Sequence, residues 1–387
     1  MTRIAISARG AKRIRNGHLW VYRSDVVSAN EVDPGTIVQV IDQANNFVGQ
    51  AFYSDTSEIA LRFLTTRDET IDPGWWRQKL RACAERRASI ARDTNAYRLV
   101  YSEGDLLPSL IVDKYDDVLV MQTLSQGTDR LKAEIAELLD EQMQPRAIVE
   151  RNDARVRRFE GLEAQTGLMR GEDPHEIEIT QNGVRFLVSP LGGQKTGAFL
   201  DQQENYLAAG RTAHGRALDC FTFNGGFALH MARSCEHVIG VDISEDAIAG
   251  AERNAKINQV TNVDFRVVNV FDALRDFESA NEKFDTVVLD PPAFAKNRAA
   301  VKSALRGYKE INLRALKLLH PNGVLVSCSC SYHMQQEVFL EVIHEAALDA
   351  HRRVQIVEVR GQSSDHPVLM GVPETHYLKC VIARVVE

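Results

Sequence analysis

Residues Asp219-Cys220-Phe221-Thr222-Phe223-Asn224-Gly225-Gly226 decide the fold of this chain. They follow from the apolar strand candidate Ala217–Phe221 and open a helical stretch, Gly226–Ser234. A strand, a tight turn of residues tolerant of positive φ, and a helix N-terminus make a cradle for a small molecule. The phosphate fingerprint Gly-x-Gly-x-x-Gly is absent, so the turn favours a nucleoside-type ligand over a dinucleotide. Taken alone, the same residues also describe a close-packed βα turn without a ligand.

Downstream the alternation continues. Strand candidates are Val238–Asp242, Val263–Val267, Thr286–Asp290, Val324–Ser329, Val354–Val359 and Leu378–Ala383. Helical stretches fall at Glu245–Ile257, Val301–Leu319 and Gln335–Ala350. Strands alternating with helices predict an α/β, mostly parallel, doubly wound sheet. In such sheets ligands bind outside the carboxyl ends of the strands. Upstream the pattern differs. Thr36–Ile41 and Phe47–Tyr53 flank the turn signal Asn45-Asn46, and Ile59–Phe63 follows, so residues 1–70 read as short strands of a small β barrel. A helix is expected over Trp75–Arg92, entered through Asp72-Pro73-Gly74, a domain-boundary signal. Strands at Ser109–Asp113, Val118–Gln122 and Ala147–Glu150, with a helix at Asp129–Glu141, make a central α+β unit.

The chain has 387 residues, 44% hydrophobic and 26% charged, an ordinary globular balance for two or three domains. No apolar run approaches the ~18 residues of a membrane span, and Met1–Ala5 lacks a signal core. Six cysteines at this length read as reduced thiols of a cytoplasmic protein. The net charge of −7 does not advertise nucleic acid, but basic residues cluster in residues 1–24, in Arg77–Arg92 and from Arg151 to Arg158. Each cluster is either a phosphate-binding face or a solvated one.

The strand ends carry the chemistry. Asp242, at the tip of the second strand and about 20 residues past the glycine turn, suits a ribose diol; Ser244 then caps the next helix. The fourth strand ends in Asp290-Pro291-Pro292-Ala293-Phe294. The prolines stiffen the loop, the carboxylate suits a base edge, and Phe294 suits a base face. The fifth ends in Ser327-Cys328-Ser329-Cys330-Ser331. Strand alternation puts both thiols on one side, with Cys330 nearer the ligand end. Cys330 reads either as a nucleophilic thiolate or as a buried small apolar residue. No Cys/His spacing suits zinc, so no metal site is expected.

The order Lys195-Thr196-Gly197, Asp201-Gln202, Asp219 to Gly226, Asp242, Asp290-Pro291-Pro292 and Ser329-Cys330-Ser331 resembles the ribosomal RNA large subunit methyltransferase I family. Asp365-His366-Pro367 and Tyr377-Leu378-Lys379 are similar too, and the resemblance spans essentially the whole chain. It implies a PUA-type RNA-binding barrel over 1–72, a basic linker helix and central α+β domain over 73–190, and a Rossmann-like, seven-stranded class I methyltransferase domain over 191–387. It implies S-adenosyl-L-methionine as cofactor, 23S ribosomal RNA as partner, and 5-methylcytosine as product. It also admits a homodimer. The residues matched to the cofactor are Lys195, Thr196, Gly197, Asp201, Gln202, Asp219, Phe221, Thr222, Asn224, Gly225, Asp242, Asn269 and Asp290. Asn269 stands where many relatives have Asp, and Gln203 where the family often has Arg. Cys330 and Asp290 are the implied catalytic pair. Phe294, Arg13, Arg15 and Trp20 are the implied substrate contacts.

The chemistry explains the thiol. Cytosine C5 is a poor nucleophile, and a thiolate adding at C6 makes it enamine-like. The position directly after Asp290-Pro291-Pro292 is Ala293, so no second thiol there assists release. Two other readings compete. Guanine N7 methylation of RNA needs no thiol, and a non-catalytic RNA-binding assembly factor would need neither Asp290 nor Cys330. A small-molecule methyltransferase is a third reading, and it gives residues 1–190 no role.

Overall fold

The computed structural model describes residues 2–29, 31–192, 198–295 and 300–386. The chain divides into two compact units. Unit 1 holds residues 1–179, 188–200 and 364–375, and unit 2 holds 180–187, 201–363 and 376–387.

Unit 1 begins with a six-stranded sheet. Its strands are β1 (Arg3–Ile6), β2 (Trp20–Tyr22), β3 (Val26–Ser28), β4 (Ile37–Asp42), β5 (Phe47–Tyr53) and β6 (Ile59–Thr65), in the order β2-β6-β5-β4-β1-β3. Alternate apolar residues such as Ile4, Ile6, Val38, Val40, Leu61 and Phe63 form its core. A helix, α1 (Ala8–Arg15), interrupts the run expected to be all strand. Ser7 caps it, accepting from the Gly10 N–H, and it buries only Gly10, Ala11 and Ile14.

The second sheet of unit 1 comprises β7 (Ala96–Tyr101), β8 (Leu110–Tyr115), β9 (Val118–Thr123), β10 (Ala147–Asn152) and β11 (Gln165–Gly171), each beside the next. Helix α2 (Pro73–Arg87) starts where Asp72 accepts from the Trp75 N–H, and it ends earlier than the expected Arg92. The helix expected at Asp129–Glu141 is split into α3 (Gln126–Arg130) and α4 (Lys132–Met143). One core cluster joins Phe52 and Leu64 of the first sheet to Trp76, Leu99, Leu110 and Ile135 of the second region. Gly127 permits this approach: a Cβ there would lie 2.2 Å from the Phe52 ring.

Many of the arginines in the basic runs are consumed internally. Arg87 is 2% exposed and makes a bidentate pair with Asp105 at 2.7 and 2.6 Å. It also donates to the carbonyl of Asp365. Asp365 accepts from the Arg98 N–H and from the His366 ring, so Asp365-His366 locks residues 364–375 into unit 1. Arg151 and Arg157 are buried as well.

A hairpin of β12 (Ile177–Gln181) and β13 (Val184–Val188) leads into unit 2. Its sheet holds β14 (Gly215–Cys220), β15 (Cys235–Asp242), β16 (Val263–Val267), β17 (Phe284–Leu289), β18 (Leu319–Ser329), β19 (Val354–Arg360) and β20 (Lys379–Val385). Their order is β16-β15-β14-β17-β18-β20-β19, parallel except at β20 and β19. This is the Rossmann-like, seven-stranded α/β sheet the sequence implies. The helices are α5 (Gln203–Thr212), α6 (Gly226–Met231), α7 (Glu245–Ile257), α8 (Val270–Ser279), α9 (Val301–Leu318) and α10 (Gln336–Asp349). Both sheet faces are apolar, as parallel strands between helices require. No helix among the described residues is long and apolar enough to cross a membrane.

Candidate active site

The sheet order brings four informative strand ends side by side. β15, β14, β17 and β18 are consecutive neighbours and all parallel. Their carboxyl ends deliver Asp242, the Phe221–Gly225 loop, Asp290 and Cys330 to one edge of unit 2. Phe221, Phe223 and Gly225 all take positive φ, at 65°, 50° and 86°. Aromatic residues rarely adopt that conformation, so surrounding bonds must hold it. The Thr222 N–H donates to the Val241 carbonyl, the Phe223 N–H to Asp242 Oδ2 at 3.0 Å, and Asn254 to the Asn224 carbonyl. Gly226 must lack a Cβ, because one would lie 2.5 Å from the Tyr206 ring.

Asp219 sits behind this loop, fully buried. Its Oδ2 accepts from Thr222 Oγ1 at 2.6 Å and from the Ala228 N–H at 2.9 Å. Its Oδ1 is buried without a partner among the described residues. Burial, reinforced by the neighbouring Asp242 charge and opposed by the two bonds, pushes its pKa up to about 7. Asp242 is half-buried; its Oδ1 accepts from the Ser244 N–H as its Oδ2 does from Phe223.

Asp290 accepts a bond from Gln202 Nε2 to its Oδ1 at 2.9 Å. Gln202 is 2% exposed and in turn accepts from Asn205. Asn205 is fixed by the Gly361 carbonyl and by Arg360. Asp201 is anchored separately, accepting from the Tyr377 hydroxyl at 2.5 Å, and its carbonyl accepts from Ser363.

The thiols separate sharply. Cys83, Cys220, Cys235, Cys328 and Cys380 are buried, whereas Cys330 is half-exposed. β18 ends at Ser329, so strand alternation stops one residue before Cys330. Cys328 pairs across the ladder with Cys380, and burial raises its pKa well above the ordinary thiol value. Cys330 Sγ donates to the Pro291 carbonyl at 3.8 Å. Around it, Ser329 Oγ donates to the Tyr308 hydroxyl, which bonds Ser331 Oγ, which accepts from the Ala295 N–H. Lys379 Nζ donates to the Ser331 and Tyr377 carbonyls at 2.7 and 2.8 Å. Burial lowers the Lys379 pKa to about 8 against the opposing pull of Cys330.

Similarity to known families, proteins and folds bears on what this site belongs to. A PUA-like domain family matches residues 4–66, and a methyltransferase domain family matches residues 211–366. The ribosomal RNA large subunit methyltransferase I of Tolumonas auensis is 40% identical over 385 residues, covering 97% of each chain. The enzyme of the same name from Aeromonas salmonicida is 38% identical over 383 residues, covering 96% of each. The chain belongs to the ribosomal RNA large subunit methyltransferase I family. Its fold matches a methyltransferase solved in complex with SAH, with TM-score 0.86 at 19% identity over 100% of both chains. A SAM-dependent methyltransferase from Streptococcus mutans gives 0.85 at 20%, again over 100% of both. As a member of that family with a methyltransferase domain over residues 211–366, this chain is an S-adenosylmethionine-dependent methyltransferase.

The methyltransferase residues expected at the site separate into groups. Asp219, Thr222, Asp242, Gln202, Asp290 and Cys330 come together at the strand ends. Lys195, Thr196 and Gly197 lie outside the described residues. Asn269 is exposed, and its Oδ1 accepts from the Phe271 N–H as the cap of α8. Gln203 is buried at the start of α5. Phe294 is half-buried, 4.8 Å from the Tyr308 ring and 6.5 Å from Phe221. Arg13, Arg15 and Trp20 belong to unit 1. Arg13 lies 4.5 Å over the Tyr22 ring, Arg15 pairs with Asp42, and Trp20 Nε1 donates to Glu103. Sequence reasoning missed Asn205, Tyr308 and Asn254, whose partners are distant in sequence. Tyr377 and Lys379 stood only as a terminal likeness, although a lysine opening an apolar strand is itself a signal.

Proposed function

We propose that this protein forms 5-methylcytosine in 23S ribosomal RNA through a Cys330 adduct. What carries the reading is the pairing of Cys330, the half-exposed thiol, with the Asp290-Pro291 turn on the neighbouring strand. The relatives' shared name supports ribosomal RNA of the large subunit as substrate, and the PUA-like segment supports RNA contact.

The residues present fit the cofactor. Asp219 Oδ1 is a buried acceptor without a donor, and the Phe221–Gly225 loop leaves backbone groups at a helix start. Asp219 and the loop would hold the amino-acid part, Asp242 the ribose, and Asn269 the base edge. Bound S-adenosylmethionine supplies an electrophilic methyl group.

Cys330 acts first. Its thiolate adds to C6 of the cytosine, forming an S–C6 bond and moving the ring electrons toward C5 and N3. Asp290, oriented by Gln202, holds the base at its N3 and N4 edge and shares the proton that stabilises the developing charge. C5 then takes the methyl group. A base removes the C5 proton, the C5–C6 double bond re-forms, and Cys330 leaves as thiolate. The base must leave its stack to reach between Phe294 and Cys330.

An RNA carrying 5-fluorocytosine tests this chemistry. Fluorine cannot leave C5 as a cation, so the adduct should persist. A band resistant to denaturation is expected with wild type and absent with Cys330→Ser. A Cys330→Ser enzyme that keeps full transfer favours guanine N7 methylation instead.

A further inference from the structure

Unit 1 carries an arrangement that methyl transfer does not use. The segment Arg155–Glu160 forms a six-residue 3₁₀ helix, closed by Gly161 at φ 68°. Two of its side chains point inward. Arg157, 2% exposed, donates to Asp129 Oδ1 at 2.9 Å and to the Glu163 carbonyl. Glu160, 1% exposed, accepts from Arg62 at 2.6 Å, and its carbonyl accepts from Gln126. These buried pairs fix the turn from both ends. The remaining side chains face water, and Phe159 is 73% exposed. Val156 on the same turn is exposed too, so the turn presents an apolar patch rather than one stray ring.

Beside Phe159 lies a groove of about 630 Å³. Trp20, Ile59, Leu124 and Val156 give it apolar walls, and Arg158 stands at its edge. That volume suits one nucleotide-sized ligand. Its charge is also informative. The carboxylates of Glu103 and Glu160 already accept from Trp20 and Arg62. Among the lining residues Arg158 is exposed and makes no ion pair among the described residues, against a single exposed acid, Glu58; Arg155 lies outside the lining, one 3₁₀ repeat before Arg158.

We propose that this groove binds one unpaired nucleotide of the RNA, its base stacked on Phe159 and its phosphate on Arg158. The inference rests on RNA being the substrate. It adds an anchoring site in unit 1, built from residues with no part in the chemistry of unit 2. The turn that carries Phe159 is already anchored, so stacking there costs little backbone ordering, and Arg158 beside it supplies the phosphate contact. Phosphate contacts would set position, while the stacked base would select single-stranded over paired RNA.

Fluorescence anisotropy on the full-length protein tests this with a fluorescein-labelled oligouridylate and a labelled RNA duplex. Phe159→Ala should weaken oligouridylate binding roughly 5- to 100-fold and leave duplex binding unchanged. Arg158→Gln should reduce the salt slope of single-strand binding by about 0.7. Wild-type melting and wild-type affinity for S-adenosylhomocysteine certify that each variant is folded. Unchanged oligouridylate binding by Phe159→Ala overturns the site, and so does an equal loss on both probes. A groove that serves a protein partner gives the first of these. A wild-type enzyme that binds neither probe and methylates no RNA overturns the RNA reading itself, which separates the two failures.

Discussion

Gln202 Nε2 donates to Asp290 Oδ1 across 2.9 Å, joining residues 88 positions apart. The bond sets the rotation of the carboxylate that the mechanism places against the cytosine edge. Asn205 holds Gln202 in turn, so the orientation is inherited from α5. Removing the amide with Gln202→Ala should cut single-turnover methyl transfer about 10²-fold, the scale of a small misplacement. S-adenosylhomocysteine affinity, read by calorimetry, should change far less. Equal losses in both would mean that Gln202 serves the cofactor rather than Asp290.

Asp219 should leave a mark on stability. Its folded-state pKa is raised to about 7 by burial, from an ordinary 3.8. The folded protein therefore keeps the proton where the unfolded chain has lost it. Stability from this group is present below pH 4 and is lost as pH rises to about 7, at up to about 1.4 kcal/mol per pH unit. Asp219→Asn should be more stable than wild type at pH 8 by more than at pH 4. Chemical denaturation at the two values checks this, and a pH-independent difference contradicts it.

His230 works in the opposite direction. Burial lowers its pKa to about 4, and both ring nitrogens face carbonyls, of Gly226 and Gln181. The unfolded chain takes up a proton near pH 6.5 that the folded state refuses. Stability from this group is present above pH 6.5 and is lost as pH falls toward 4. His230→Gln should flatten that acid limb. Its denaturation midpoints between pH 7 and 4.5 should fall less than those of wild type.

In unit 1 the buried Arg87–Asp105 pair should dominate its exposed neighbour. Arg87→Met leaves the Asp105 carboxylate buried and should cost about 3–5 kcal/mol. Arg86, half-exposed on the same carboxylate, should cost about 0–1 kcal/mol as Arg86→Met. Urea unfolding of the two variants decides it; comparable costs would mean that Arg87 is not what satisfies Asp105.

Legibility followed locality. Asp242 and Asp290 stand at the ends of short apolar runs, and the βα alternation assigns such ends to the ligand edge of a parallel sheet. Helix α7 was legible to the residue, because Ser244, Glu245 and Asp246 mark its start. Helix α8 was not, although Val270, Ala273, Leu274 and Phe277 repeat at helical spacing: Asn269 was read as a ligand residue when it also caps that helix. Helix α1 offers only three buried residues among charged ones, too thin a stripe for periodicity. The basic runs were legible only in part, for a physical reason. Charge is visible in sequence, but the acids that neutralise Arg87 and Arg157 are Asp105 and Asp129, 18 and 28 residues away. The Gln202–Asp290 and Lys379–Ser331 bonds exist only once the sheet has formed.

The central claim is that Cys330 is the nucleophile for C5 methylation. The most direct measurement is transfer from methyl-labelled S-adenosylmethionine to unmodified 23S ribosomal RNA, followed by nuclease digestion. Wild type and Cys328→Ala should yield labelled 5-methylcytidine, and Cys330→Ala should yield none. Label in another nucleoside, or 5-methylcytidine formed without Cys330, would contradict the account.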